Sequence, residues 1–356
     1  GSLDGRGFTV SGLTIREPGL DARDQSLDPV VGMFGGLEGA TITNLTLTGV
    51  DFSTAPVAFG GGLAARAIGP TAISGVAVSG GLSFDGSLAS FTQSLFAGGL
   101  LGELAAGGTL STSSFSGALS LVDLAPPPPT PSPGGGGGEQ PLPLFPGGGS
   151  PHRAAENYAE IGGAVGLNLG TLEGVSTEVA LSVTGGAEAP DLAPVAAGGL
   201  VGANEGALGA SSAAGSIAVS GNPRGGGPQP GGEAWFDDEV GGAVGFNLSG
   251  GTITGVTATT DVTLSSGSNA VAGGLVGRNA GSVAASRGLG AVAYSGDAPF
   301  HEGSAFGGFV GENTGDIVDA RAEGAVSFSG PAFDIDEDSV NFATVGGFAG
   351  SNTGRI

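Results

Sequence analysis

Short runs in which apolar and polar residues alternate recur from one end of the chain to the other. The alternation is clear in Leu3–Ile15 and again in Ala40–Leu47. A period of two places successive side chains on opposite faces of a β-strand, so these runs predict strands with one buried face. No stretch keeps the period of an amphipathic helix, and the pattern therefore predicts an all-β protein.

One heptapeptide, G-G-L-V-G-R-N at Gly273–Asn279, recurs with few changes along the sequence. Its second glycine is residue 274, and recognisable copies place the equivalent glycine at 32, 62, 99, 163, 199, 242, 308 and 347. Two of the early copies, which begin at Gly61 and Gly98, lack the asparagine. Self-similarity of this kind is typical of a stacked repeat protein.

The residues after Gly273 illustrate one repeat. Gly274–Asn279, Ser282–Arg287 and Ala291–Ser295 are short β-type runs bounded by glycine or asparagine. Three such runs per repeat predict a parallel β-helix, in which each strand pairs with its equivalent one coil further on. We therefore expect a single β-solenoid over 1–356, with about three short strands per coil and about nine coils. At about 4.8 Å per coil, its core would be on the order of 40 Å long.

The heptapeptide residues have structural roles in such a coil. The glycine pair is expected to permit a sharp bend or backbone conformations that other residues avoid, and the asparagine to occupy a left-handed corner. The sixth position varies between copies, so Arg278 is interpreted as incidental. Stacked asparagines can hydrogen-bond amide to amide along an axis, and we expect such a ladder from Asn168, Asn204, Asn247, Asn279, Asn313 and Asn352.

The repeats differ in length mainly between the third predicted strand and the next glycine pair. Insertions at one phase of a solenoid emerge from one edge, which is often the binding face. The longest insertion, 124–161, joins Pro126–Pro133 to Gly134–Gly138 and is interpreted as a surface loop, because the repeat resumes in phase after it. Residues 222–240 and 331–345 are predicted to be shorter insertions.

Composition limits the function further. Glycine accounts for 76 of 356 residues without a G-X-Y period, which excludes collagen. The net charge is −23 and all ten basic residues are arginines, so the chain should repel nucleic acids and anionic membranes. No apolar run is long enough to span a bilayer, and we expect no transmembrane segment. The chain stops inside a repeat at Ile356, so we expect continuation of the array or self-association.

Two insertions carry candidate binding residues. Trp235 and Phe236 precede an acidic run and form a possible recognition tip, unless Trp235 folds back to seal the flank of the solenoid. Asp334, Asp336 and Asp338 are spaced as in calcium loops, although the segment is not an EF-hand and a solvated acidic turn is the alternative. Apart from a possible Ca²⁺, we expect no cofactor.

The G-G-L-V-G copies resemble the GLUG motif of large bacterial surface and secreted proteins, among them filamentous-haemagglutinin-like adhesins and autotransporter passengers. The opening Leu3–Leu13, followed by Gly32–Gly35, is similar to the way such regions begin. The resemblance covers nearly the whole chain apart from the insertions. It implies an extracellular β-solenoid at the bacterial cell surface, and it says little about activity because one scaffold serves many functions.

Three functions are compatible with these features. The leading hypothesis is a non-enzymatic structural solenoid, part of an adhesin, surface fibre or filament, that binds a glycan or protein through loops on one edge. The alternative is a polysaccharide-active enzyme on a β-helix, which would require clustered carboxylates on stacked strands. The second alternative is a calcium-stabilised glycan- or ice-binding module.

Overall fold

The computed structural model describes residues 1–16, 30–85, 94–122, 159–184, 195–220, 238–265, 270–296, 304–329, 335–336, 339–340 and 343–356. The regular structure in these ranges is entirely β-strand. They therefore contain no helix that could cross a membrane. The strands form four long parallel sheets, called A to D, and one antiparallel pair.

The strands are numbered in chain order and fall into sheets as follows. Sheet A contains β1 (Ser2–Asp4), β6 (Thr41–Thr43), β10 (Ala72–Ser74), β14 (Thr109–Ser111), β18 (Thr171–Glu173), β22 (Ala207–Gly209), β26 (Thr252–Thr254), β31 (Ser282–Ala284) and β36 (Asp316–Val318). Sheet B contains β2 (Thr9–Ser11), β3 (Thr14–Arg16), β7 (Thr46–Pro56), β11 (Ala77–Asp85), β15 (Ser114–Val122), β19 (Ser176–Thr184), β23 (Ser212–Ser220), β27 (Thr257–Ala258), β28 (Asp261–Leu264), β32 (Arg287–Gly288), β33 (Val292–Tyr294), β37 (Arg321–Ala322) and β38 (Val326–Phe328).

Sheet C contains β4 (Val30–Val31), β8 (Phe59–Gly61), β12 (Leu95–Gly98), β16 (Ala159–Gly162), β20 (Val195–Gly198), β24 (Asp238–Gly241), β29 (Ala270–Gly273), β34 (Ala305–Gly307) and β41 (Thr344–Gly346). Sheet D contains β5 (Phe34–Glu38), β9 (Ala64–Ile68), β13 (Leu101–Leu104), β17 (Val165–Asn168), β21 (Val201–Asn204), β25 (Val244–Asn247), β30 (Val276–Asn279), β35 (Val310–Asn313) and β42 (Ala349–Asn352). The antiparallel pair is β39 (Ile335–Asp336) with β40 (Ser339–Val340).

The chain passes through sheets C, D, A and B in turn, and we number the coils 1 to 9 by the glycine pair that each contains. The predicted parallel β-helix of about nine coils is confirmed. Each coil has four strand positions instead of the expected three. The sequence pattern missed the sheet C strand because its residues are buried on both faces and do not alternate, as in Ala270–Gly273.

Identical positions of successive coils stack on one another, and this stacking builds the core. In β19, alternate residues from Thr177 to Val183 point inward and their neighbours point outward. In the sheet A strands from β6 onward only the central residue is buried, and its side chain meets the equivalent one in the next coil. These central residues are Ile42, Ile73, Leu110, Leu172, Leu208, Ile253, Val283 and Ile317.

The large length differences between coils occur at a single corner, and the turns from sheet D to sheet A differ by two residues at most. Only residues 57–58 separate β7 from β8, whereas 36 residues (123–158) separate β15 from β16. The predicted insertions 124–161, 222–240 and 331–345 all connect sheet B to sheet C, and they lie largely outside the described residues. Their last residues, from 159, 238 and 344 onward, belong to sheet C strands.

The motif glycines are required for close approach of two sheets and not for unusual dihedral angles. None of them has a positive φ. A Cβ on Gly245 would lie 2.6 Å from the backbone nitrogen of Ala197 and 2.7 Å from the carbonyl oxygen of Gly202. Sheets C and D therefore pack backbone against backbone beside the bend, where a methyl group has no space.

The left-handed corner lies between sheets A and B and not at the ladder asparagines, which contradicts the role expected for them. Positive φ values recur at one position of this corner from coil to coil, and glycine occupies only some of these positions. The residues are Asn44, Gly75, Thr112, Gly174, Ala210, Gly255, Ala285 and Asp319. The ladder asparagines have ordinary strand conformations. The reason that asparagine recurs at this position is therefore its side chain and not its backbone preference.

We predict that Gly242→Ala lowers the free energy of unfolding by about 2 kcal/mol or more, because the new Cβ would overlap the carbonyl oxygen of Gly274 in the next coil. Gly347 occupies the same motif position in coil 9, and a Cβ there would meet no atom within 4 Å. Gly347→Ala is therefore the matched control and should change stability by less than about 0.5 kcal/mol. Urea unfolding of both variants checks this, and equal losses would contradict it.

Candidate functional site

The asparagines at the ends of the sheet D strands form a continuous ladder. The strand register places them in one column from coil 4 to coil 9. Each donates from Nδ2 to Oδ1 of the next, and the first bond, from Asn168 to Asn204, is 2.7 Å long. The four following bonds, Asn204–Asn247, Asn247–Asn279, Asn279–Asn313 and Asn313–Asn352, measure 2.7 to 2.8 Å.

The ladder amides are also bonded within their own coils. Asn204 Nδ2 donates to the carbonyl of Gly206 at 3.3 Å, and Asn313 Nδ2 does the same to Gly315 at 3.2 Å. The first member, Asn168, accepts the backbone N–H of Gly170 on Oδ1 at 3.0 Å. The asparagines from coil 4 to coil 8 are fully buried. Because the amides are both enclosed and bonded, the ladder stabilises the rod and offers no group to a ligand.

A second ladder-like device was not expected from the sequence. At the corner between sheets A and B, a Gly-Val pair in one coil is followed by an Xaa-Ser pair in the next. The buried hydroxyl of Ser211 donates to the carbonyl of Gly209 at 2.7 Å and accepts the N–H of Val175 in the preceding coil at 3.1 Å. Ser113 with Val76 and Ser286 with Val256 repeat this geometry. The sequence signal that could have predicted these serine bonds is the alternation of Gly-Val with Xaa-Ser, which has a period of two coils.

The variable sixth position of the motif suggested that Arg278 is incidental. The structure contradicts this, because Arg278 has two ion-pair partners. Its guanidinium lies 3.4 Å from the buried carboxylate of Glu239 in coil 6 and 3.1 Å from Glu312 in coil 8. It therefore ties three coils together along the flank between sheets C and D. Arg66, at the equivalent position of coil 2, pairs with Glu103 at 2.7 Å and stacks over the ring of Phe59.

The structure does not test the predicted loop residues, because most of them lie outside the described ranges. Trp235, Phe236, Asp334 and Asp338 lie outside the described residues. Asp336 lies on β39, in the short antiparallel pair. In the described part of the chain, no group of three or more His, Cys, Asp or Glu residues could hold a metal ion.

Exposed carboxylates near the last coils are engaged in local ion pairs. Arg321 pairs with Glu323 at 2.6 Å, and Asp316 pairs with Arg355 at 3.5 Å. Arg287 stands opposite Arg321 in the parallel register of sheet B. This pattern does not place two carboxylates together on stacked strands, as glycoside hydrolysis requires.

At the other end, Asp4 is an exposed carboxylate with two hydrogen bonds. It accepts the backbone N–H of Arg6 at 2.9 Å and the amide of Asn44 at 3.2 Å. These two bonds, the first above all, lower the pKa of Asp4 below its ordinary value. The first bond is local and orders the turn that follows β1, and the second joins this turn to the next coil, 40 residues further along the chain.

A shallow groove of about 470 Å³ follows the corner between sheets D and A over coils 6 to 9. The turn at Ser249–Gly250 is two residues longer than the equivalent turns of coils 7 to 9 and forms one wall. The hydroxyls of Ser282 and Thr314 line the groove. Its lining is polar and apolar in equal parts, and no aromatic side chain lines it.

We predict that Asn247→Leu lowers the free energy of unfolding by about 3 kcal/mol, because the buried amide of Asn204 and the carbonyl oxygen of Asn279 each lose a partner. Asn352→Leu is the matched control at the exposed end of the ladder, where one asparagine–asparagine bond and one exposed bond to the carbonyl of Gly354 are lost. We expect it to cost less than about 1 kcal/mol. Urea titration followed by circular dichroism distinguishes the two, and a ladder that contributes nothing would give equal midpoints.

We predict that Arg278→Met costs about 2 kcal/mol, because the buried Glu239 loses its cation, although partial exposure of Arg278 moderates the loss. Adding Glu239→Gln should restore most of that stability. Arg321→Met removes an ion pair that is largely exposed and should cost less than about 0.5 kcal/mol. Thermal and urea unfolding check all three variants. A loss in the double variant as large as that in Arg278→Met would show that the pairing is not responsible.

Comparison of the sequence with models of known protein families gives no match. A search among curated proteins likewise gives no match.

Proposed function

We propose that this chain is a non-enzymatic, structural β-solenoid of the bacterial cell surface, part of an adhesin or a surface fibre. The rod acts as a rigid spacer, and the connections from sheet B to sheet C contact the ligand. The observation that carries this proposal is that the long insertions all occur at that single corner. Insertions at one phase of a solenoid lie along one edge and form a continuous line of recognition segments.

The composition of the connections also supports a role for the rod as spacer and for the connections in ligand binding. The outward column of sheet B that runs through Ser83, Ser120 and Ser182 consists largely of small residues and offers few distinguishing groups. The connections contain the only tryptophan of the chain and roughly half of its acidic residues in less than a third of its length. Exposed aromatic and charged side chains on variable loops are typical of binding surfaces.

The extracellular location rests on the resemblance of the G-G-L-V-G copies to GLUG repeats and on the acidic composition. A net charge of −23 favours solubility and keeps individual rods apart. The ligand proposed is a cell-surface glycan or protein, with no nucleic acid. No cofactor is required for this function.

The experiment removes the connections one at a time while leaving the rod intact. Residues 221–237, which include Trp235 and Phe236, are replaced by two glycines, the length that joins β7 to β8. Beads coated with the variant are tested on epithelial cells and on an array of immobilised glycans. We expect at least tenfold weaker binding with an unchanged melting temperature. Trp235→Ala should reproduce most of the loss, and shortening 86–93 serves as the control.

Two results would overturn the proposal. Undiminished binding after shortening of every connection would place recognition on the rod itself. Release of reducing sugars from polysaccharides would establish the enzymatic alternative, for which Asp316 and Glu323 would be the first residues to substitute. A melting temperature that falls when a chelator is added would instead favour the calcium-stabilised module.

A further inference from the structure

Two arginines stand side by side on the outer face of sheet B. Arg287 of coil 7 and Arg321 of coil 8 occupy facing positions of the parallel strands β32 and β37. Both residues are exposed. Equivalent residues of adjacent coils are about 4.8 Å apart, so the register holds two positive charges close together. Like charges at facing positions of paired strands repel each other, and the stacking of the coils therefore opposes this pair.

Only one of the two arginines is neutralised. Arg321 Nε lies 2.6 Å from Glu323 Oε1, in an ion pair that is largely exposed. In the described part of the chain, Arg287 has no ion-pair partner, and Asp319 at the preceding corner pairs with neither arginine. A guanidinium has five N–H donors and no acceptor. Arg287, Arg321 and Glu323 together therefore carry one net positive charge and several unused donors.

The column that contains the two arginines continues along the rod as a line of hydroxyl groups. Thr257 faces Arg287 from coil 6, and Ser212 and Ser176 follow in coils 5 and 4. The two serines are exposed and Thr257 is half-buried. A hydroxyl both donates and accepts hydrogen bonds. A ligand lying along this column would therefore meet a polar group in each coil and two cations at one end.

The chemistry of the pair suits an oxyanion. Guanidinium groups bind carboxylates and tetrahedral oxyanions through paired N–H···O bonds. An oxyanion between Arg287 and Arg321 would replace their mutual repulsion by two attractions. A nucleic acid would bring a continuous row of phosphates against a chain of net charge −23. A sugar with an isolated acidic group avoids most of that repulsion, and its hydroxyl groups match the hydroxyl column beside Arg287.

We propose that Arg287 and Arg321 form a binding site for the carboxylate or sulfate group of an acidic sugar, whose neutral part lies along Thr257 and Ser212. The inference rests on the proposed function for the class of ligand, a cell-surface glycan. It goes beyond that function by placing a contact on the rod itself, apart from the connections between sheets B and C. Through this contact the protein distinguishes acidic from neutral glycans.

The test measures dissociation constants by ligand-observed NMR at low ionic strength. The probes are lactose, sialyllactose and lactose sulfate, which carry no acidic group, one carboxylate and one sulfate. We expect an acidic probe to bind at least about fivefold more tightly than lactose, and the tighter of the two identifies the anion. Arg287→Ala and Arg321→Ala should each abolish this preference. Arg16→Ala removes an exposed arginine from the other end of sheet B and should change the preference by less than about twofold.

A second variant tests the site in the opposite direction. Glu323→Gln frees the guanidinium of Arg321 and should tighten binding of the acidic probe about threefold. Glu178→Gln is the matched control, because it removes an equal charge from the outer face of sheet B in coil 4. It should change the dissociation constant by less than about 1.5-fold. Arg287→Ala should not lower the melting temperature, since Arg287 has no partner to lose.

Four results would overturn the proposal. All three probes could bind equally to the intact protein, or Arg287→Ala could retain the preference for the acidic probe. Acetyl-glutamate amide that binds as tightly as sialyllactose would indicate an acidic protein segment as the ligand. A melting temperature several degrees lower in Arg287→Ala would show that this arginine has a structural role.

The variant in which two glycines replace residues 221–237 separates this inference from the proposed function. Loss of cell adhesion with unchanged binding of the acidic probe would support both. If adhesion remains after every connection is shortened while the preference still depends on Arg287, only the role of the connections is overturned. If adhesion is lost and the intact protein shows no preference for the acidic probe, only the site at Arg287 and Arg321 is overturned.

Discussion

In-register stacking is the constraint on which the rest of the structure depends. Each residue meets its own equivalent one coil further on, so a side chain that fits at a position must fit beside a copy of itself. Asparagine satisfies this condition because one amide supplies both a donor and an acceptor along the axis. Glycine satisfies it where sheets C and D touch through their backbones, as at Gly245. Arg278 satisfies it differently, by standing between two carboxylates in adjacent coils.

Because of the same constraint, the residues that stabilise the rod and the residues proposed to bind the ligand lie in different parts of each coil. Residues inside the stack must fit against their equivalents in the adjacent coils, so substitutions there are constrained by the neighbouring side chains. The corner between sheets B and C lies outside this condition, because its connection does not have to match the one in the next coil. Variation in length and composition collects there, and this makes the corner the natural position for ligand contacts.

The sequence by itself determined the architecture. The period-two alternation predicted strands, and the recurring G-G-L-V-G-x-N predicted a parallel stack with about nine coils and an asparagine column. These inferences succeed because a repeat reports the same local environment many times, so that one ambiguous segment is corrected by the others. The edge carrying the insertions was visible for the same reason, since differences between copies occurred at one phase.

Only the tertiary structure decided which structural role each recurring position of the motif has. The sheet C strand, such as Ala270–Gly273, could not be read from alternation because it is enclosed on both faces. The roles of the glycines depend on the distance between sheets C and D. The spacing of residues in the sequence does not give this distance. Arg278 acquired its partners from coils that are 39 and 34 residues away in the chain. The sequence specifies which residues recur, but the lateral and axial distances between them arise when the coils pack, and those distances decide which contacts form.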